Sequence, residues 1–325
     1  MAVTFYFARH GETQFNVQNR VQGWCDSPLT SSGIYDAYRL GQGLADVEFV
    51  GACTSDSGRA QHTLSIALEA RENERMRLRR GLPVADGPVK ADEAAELFAE
   101  EALDHEGQIE AIEELLRSRG CLEPHSPVPD TDEATEADCR WLTLAEDWRP
   151  PVNELDWVSY PAYTLLALPR IPRIETSVPA RCDVRLREWC FGDLEGEPAL
   201  RLRNRMFDLF GDDLPREEQN ERLNEIADYL FRVDETRRAE DFATITRRLR
   251  SFIDDCGRSV EARGGGNVLV VSHALLIRSL VFIYAPERVN DPPKIKNASI
   301  TKVRWDNGEV TVESVGETGH LHHRS

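Results

Sequence analysis

The sequence predicts an α/β fold, a three-layer α/β/α sandwich around a mostly parallel central sheet, carrying a large, mainly helical acidic insertion. Three observations predict it. Short β-rich runs at residues 3–8, 48–55 and 266–272 alternate with stretches whose apolar residues recur at helical spacing. Each run is followed at once by polar residues capable of chemistry. Residues 76–177 break the rhythm, and 178–325 resume its compact style.

The run at 3–8, VTFYFA, is rich in β-branched and aromatic residues. Residues 30–46 read as a helix, because Ser31 and Ser32 can cap it and Ile34, Ala37, Tyr38, Leu40 and Leu44 share a face. The run at 48–55, EFVGACTS, is a second strand, and residues 59–70 are a second helix with His62 on its outer face and without a role. Within the insertion, residues 92–119 read as one or two acidic helices and 125–130 as proline-rich chain. Trp141, Leu144, Ala145 and Trp148 form an apolar stripe that Pro150 and Pro151 stop. The domain division is therefore a core of 1–75 and 178–325 and an inserted acidic cap of 76–177. Residues 241–263 make a third helix, with Phe242, Ile245, Leu249, Phe252 and Ile253 on one side, and 266–272 a third strand.

With 325 residues, 41% hydrophobic and 30% charged, the chain is of ordinary globular composition. A net charge of −18 argues against a nucleic-acid partner, since phosphate backbones are held by cationic surfaces. The charge is localised: residues 86–147 hold 19 acidic and 4 basic side chains. The longest apolar run, 268–285, is interrupted by His273 and Arg278 and reads as strand then helix rather than a membrane span. Residues 1–7 show no secretory pattern, so a cytoplasmic protein is expected. The seven cysteines contain no C-x-x-C pair and read as reduced thiols, giving neither a disulfide framework nor a zinc site. His320, His322 and His323 read as a frayed terminus.

In an open α/β sheet, ligands lie at the carboxyl ends of the strands. There this chain has Arg9-His10-Gly11-Glu12-Thr13, Asp56-Ser57-Gly58-Arg59 and Ser272-His273. Parallel strands bring two histidines and two arginines to one edge. Two guanidinium forks suit the oxygens of a phosphoryl group, and an imidazole can serve as nucleophile or stabilise the group in transfer. The helix beginning at Ala274 would add its N-terminal dipole.

These blocks are recognisable. Arg9-His10-Gly11-Glu12-Thr13 with Asn16, and the stretch 20–30 (RVQGWCDSPLT), resemble the histidine phosphatase superfamily in its phosphoglycerate-mutase-like branch. The stretches 55–63, 186–196 and 270–277 resemble its later blocks, in the right order, so the resemblance covers 1–75 and 178–325. It implies that His10 is the nucleophile that becomes phosphohistidine, and that Arg9, Arg59 and His273 surround the phosphoryl oxygens. Asn16 and the Gln22-Gly23 backbone would add contacts, and Glu188 would give a proton to the leaving oxygen. It implies no metal and no cofactor, and a small phosphorylated substrate.

The chain departs from the family pattern in two places. Ala274 stands where a glycine is usual, and Arg59 and Glu188 are 129 residues apart because of the insertion. After Glu188 the text FGDLEG is closer to the phosphatases than to the mutases, whose block reads E-R-x-Y-G-x-L. The expectation is a metal-independent histidine-type phosphatase, with a phosphoglycerate-type mutase and a non-catalytic phospho-ligand sensor as the alternatives.

Overall fold

The computed structural model describes residues 2–80 and 178–321. Cα packing divides the chain into two compact units. One comprises Met1–Asp36, Val47–Leu64 and Val178–Ser325, the other Ala37–Asp46 and Ser65–Ser177. In the second, Leu40, Leu44, Ile66, Ala67 and Ala70 are buried.

The first unit is built on a mixed, mostly parallel sheet. Its strands among the described residues are β1 (Val3–Arg9), β2 (Phe49–Thr54), β3 (Ala180–Cys182), β4 (Gly266–Ser272), β5 (Ile300–Asp306) and β6 (Glu309–Glu317), in the order β3-β2-β4-β1-β5-β6. The pairs β3/β2, β2/β4 and β4/β1 are parallel, while β5 runs antiparallel to β1 and β6 antiparallel to β5. Central β4 is buried from Val268 to Ser272, which is why it reads as a continuous apolar run. Edge strand β6 exposes Glu309, Thr311, Glu313 and Glu317.

The helices among the described residues are α1 (Gln14–Val17), α2 (Ser31–Gly43), α3 (Gly58–Arg80), α4 (Ala199–Phe210), α5 (Arg216–Glu221), α6 (Leu223–Val233), α7 (Phe242–Glu261) and α8 (Ala274–Tyr284). Helix α7 starts where Asp241 accepts from the Thr244 N–H at 2.8 Å. Its stripe of Ile245, Leu249, Phe252, Ile253, Cys256 and Val260 is buried, with the Phe252 ring 6.2 Å from Phe5 and 6.4 Å from Phe7. A Cβ on Gly257 would lie 2.5 Å from the Trp305 ring, so α7 comes close to β5.

The three strands and four helices read from the sequence are present within a few residues, except that α3 runs on to Arg80, through residue 76 where the insertion was expected to begin. His62 does not sit on an outer face. It is half-buried, and burial lowers its imidazole to about 4. The sequence reading passed over α4 to α6 and the β5/β6 hairpin. The acidic stretch 92–119, the proline-rich 125–130, the Trp141/Trp148 stripe, and His322 and His323 lie outside the described residues. No helix among the described residues is long and apolar enough to cross a membrane.

Candidate active site

Strand register assembles the site. Arg9 at the end of β1 pairs with Ser272 at the end of β4, and Thr54 of β2 pairs with Val271. The residues that follow each strand, His10, His273 and 55–59, therefore leave the sheet at one edge. His10 N–H extends the ladder by donating to the Ser272 carbonyl at 2.9 Å. Gly11 allows the next turn: a Cβ there would lie 2.3 Å from the Gly33 carbonyl oxygen. Its N–H donates to Thr63 Oγ1 of α3 at 3.0 Å.

His10 and His273 are buried, with ring centroids 5.2 Å apart. His10 Nδ1 lies 2.7 Å from the Gly11 carbonyl oxygen, an acceptor only, so Nδ1 carries the proton and Nε2 the lone pair. Burial, then the charges of Arg59 and Arg9, hold His10 well below the ordinary imidazole value. His273 is lowered likewise by burial, then by Arg59 and His10. Asn297 Nδ2 donates to the His10 carbonyl at 2.9 Å and reaches Asn16 Oδ1 at 3.4 Å. Asn16 Oδ1 also accepts from the Thr13 N–H, closing the capping box of α1.

The arginines frame the pair. Arg59 is 1% exposed, and its Nη1 donates to Asp26 Oδ1 at 2.8 Å and the Cys25 carbonyl at 2.9 Å. Its Nη2 donates to the Gly23 carbonyl at 2.8 Å and to His273 Nδ1 at 3.0 Å. Arg59 thus pairs with Asp26; Asp56 is held instead by Arg187. Arg9 Nη1 donates to the Ile295 carbonyl at 2.8 Å, and burial lowers its guanidinium to about 10. Nε of both Arg9 and Arg59 is buried without a hydrogen-bond partner. An unpaired buried donor costs about 1–3 kcal/mol, and an oxyanion between the two arginines would remove that cost.

Glu188 is buried, and its carboxylate sits on the first turn of α8. Oε1 accepts from the Leu276 N–H at 2.9 Å and the Trp189 N–H at 3.1 Å, and Oε2 from the Leu275 N–H at 3.0 Å. Burial raises its pKa, opposed by these N–H donors and the charge of Arg59. The expected dipole of α8 therefore acts on Glu188, which caps that helix from another segment.

A second carboxylate, Glu195, grips the loop before α2. Its Oε1 accepts from Trp24 and Phe191 N–H, both at 2.9 Å, and its Oε2 from Gly23 at 3.1 Å and Cys25 at 2.9 Å. The Gly23 N–H is thereby engaged, and its carbonyl supports Arg59. Gln22 is tied by Thr13 Oγ1 at 2.7 Å and Ser27 Oγ at 3.0 Å.

Sequence reasoning gave no role to Asp26, Ser57 or Asn297, and did not foresee Glu195 as the anchor of this loop. Ser57 Oγ stands 3.4 Å from His273 Nε2. Asp26, Ser57 and Glu195 lie inside the blocks already singled out, so proximity to them was the available signal; Asn297 carried none. Cys25, Cys53, Cys190 and Cys256 are free thiols. Among the described residues no group of three or more His, Cys, Asp or Glu side chains is arranged to hold a metal ion.

Comparison with known proteins follows the same residues. The sequence model of the histidine phosphatase superfamily (branch 1) matches residues 5–83 and 171–318. A probable phosphoglycerate mutase, GpmB, of Klebsiella pneumoniae is 43% identical over 65 residues, 20% of this chain and 30% of that protein. The chain thus aligns with about 30% of the length of such relatives. Among solved structures, phosphoglycerate mutase from Bacillus anthracis superposes with a TM-score of 0.63 at 25% identity, covering 98% of this chain and 95% of that one. A mycobacterial glucosyl-3-phosphoglycerate phosphatase shares the fold, with a TM-score of 0.52 at 16% identity, covering 98% and 100%.

Proposed function

The chain belongs to the histidine phosphatase superfamily, branch 1, and on that premise we propose that it is a metal-independent phosphatase of small phosphomonoesters, working through a phosphohistidine on His10. The proposal includes a three-layer core of 1–75 and 178–325 and treats 76–177 as an inserted acidic segment.

The observation that carries this reading is the state of His10. It is buried and neutral, its Nδ1–H is committed to the Gly11 carbonyl, and its Nε2 lone pair is left as nucleophile. Nε2 attacks phosphorus and the bond to the leaving oxygen breaks. The unpartnered Nε–H groups of Arg9 and Arg59 and the Nε2–H of His273 take the phosphoryl oxygens, whose charge is spread over them in transfer. Asn16 holds the loop that carries His10, Gln22 holds Thr13, and the Gly23 carbonyl holds Arg59.

Glu188 is the proton donor. Burial raises its pKa and so favours the protonated form, and Oε2, which accepts one N–H where Oε1 accepts two, is the oxygen with room for the proton. It protonates the departing alkoxide. The carboxylate then takes a proton from water as the water oxygen attacks phosphohistidine, which returns His10 and releases phosphate.

The test is rapid acid quench with p-nitrophenyl phosphate labelled in the phosphoryl group. Acid-labile label on the wild type with sustained release of inorganic phosphate supports the reading. Labelling with interconversion of phosphoglycerate isomers and no net hydrolysis replaces it with a mutase, the activity in the names of two relatives above. Binding of phosphate without label or turnover replaces it with a sensor.

A further inference from the structure

Glu188 lies in a segment with little regular structure. A three-residue 3-10 turn, Val184–Leu186, precedes it and chain without regular structure follows. A backbone without a ladder has to find partners elsewhere. Here four consecutive carbonyls are all taken by side chains. Arg248 Nη1 donates to the Arg185 carbonyl at 2.8 Å and the Arg187 carbonyl at 2.7 Å, Ser272 Oγ to Leu186 at 2.9 Å, and Arg248 Nη2 to Glu188 at 3.0 Å. Trp24 Nε1 adds a second donor to the Glu188 carbonyl at 3.1 Å.

Arg248 is itself held. Its Nε and Nη2 meet Glu240 Oε1 at 2.8 Å and Oε2 at 3.0 Å, and the pair is largely buried. Glu240 Oε2 then accepts from the Cys190 N–H at 3.1 Å. One ion pair thus fastens the chain on both sides of Glu188, at residues 185, 187, 188 and 190, while the carboxylate of Glu188 rests on the N–H groups of α8. The sequence position agrees with a buried duty. Arg248 stands three residues after Ile245 and four before Phe252 on α7, inside the apolar stripe, where an arginine is kept only for a partner.

We propose that Arg248, locked by Glu240, is the positioning residue of the proton donor: it fixes the backbone of Glu188 so that Oε2 meets the leaving oxygen. A planar fork that serves three carbonyls and a carboxylate cannot be replaced by an ammonium. Displacements of the order of 1 Å near a reacting atom cost up to roughly 10²-fold in rate. The proposal rests on Glu188 being the acid, and the experiment separates the two.

The experiment measures kcat/KM for p-nitrophenyl phosphate, whose leaving group needs no proton, and for an alkyl phosphate, whose leaving group does. The enzymes are wild type, Arg248→Lys, Glu240→Gln and Glu188→Gln, each with its basic pH limb. Both clamp variants are expected to lose roughly tenfold to hundredfold on the alkyl ester and no more than about threefold on p-nitrophenyl phosphate. Their basic limb should move to higher pH, because a displaced carboxylate loses the N–H donors that favour its ionised form. A loss equal for both esters with an unmoved limb, in the variant that keeps p-nitrophenyl phosphate turnover, overturns the positioning role. If Glu188→Gln shows no dependence on the leaving group, the assignment of the acid falls first. If Glu188→Gln shows it and neither clamp variant does, the clamp falls alone.

Discussion

Arg59 and His273 share a hydrogen bond that only a neutral imidazole can make. Arg59 Nη2 has nothing but protons to offer, and His273 Nδ1, 3.0 Å away, has to accept. Protonating Nδ1 would set two donors face to face between buried groups, and the same positive surroundings bear on His10.

Stability should therefore fall in mild acid. Both histidines have folded-state pKa values well below 6.5, so the unfolded chain takes up protons first as pH drops. Their contribution is complete above about 6.5 and is lost below it, toward the folded pKa, at about 1.4 kcal/mol per pH unit for each histidine. Urea unfolding between pH 7.5 and 5.5 should show His273→Asn with a slope shallower than wild type by about half a proton averaged over that window. Equal slopes would mean that His273 takes up its proton in the native protein as readily as in the unfolded chain. Glu188 acts with the opposite sign, and the comparison cancels it.

His10→Ala should show neither turnover nor acid-labile label, because no other group replaces Nε2. Arg59→Lys should fall further than Arg9→Lys in kcat/KM, since Arg59 holds Gly23, Cys25, Asp26 and His273 while Arg9 holds one carbonyl. Steady-state kinetics with p-nitrophenyl phosphate decides the order. Residual His10→Ala activity above the uncatalysed rate would end the phosphohistidine account.

Glu195→Gln should destabilise the protein rather than remove the acid. Exchanging one oxygen for an amide turns a donor toward two backbone N–H groups, at a cost of roughly 2–6 kcal/mol if each unpaired donor costs about 1–3 kcal/mol. A clear drop in the urea midpoint is expected, with the leaving-group dependence of kcat/KM unchanged. A variant as stable as wild type would show that the four N–H contacts contribute little.

Activity should persist in EDTA and be inhibited by vanadate. Two buried guanidinium groups beside the imidazoles repel a cation and attract an oxyanion, and vanadate adopts the five-coordinate shape of the phosphoryl in transfer. Loss of activity in chelator, restored by a divalent ion, would contradict this.

What could be read beforehand follows from locality. Strands β1, β2 and β4 announced themselves as apolar runs, and the chemistry at their ends followed from the parallel order. Hairpin β5/β6 stayed hidden because Lys302, Arg304, Glu313 and Glu317 interrupt its apolar residues, and α4 because none of its residues is buried. Side-chain pairings were out of reach. Asp56 stands three residues before Arg59, yet it meets Arg187, 131 positions away, and Arg59 meets Asp26. Arg248 was visible only as a charge inside the stripe of α7, and its partners depend on how 185–190 folds against that helix.

The edge of the sheet carries its own safeguard. Strand β6 is nine residues long, a length that would template pairing with another molecule. Its exposed side chains include Glu309, Glu313 and Glu317, so two such edges aligned antiparallel would set carboxylates against carboxylates. Glutamates placed this way are the kind of gatekeeper that disfavours edge-to-edge pairing of two sheets.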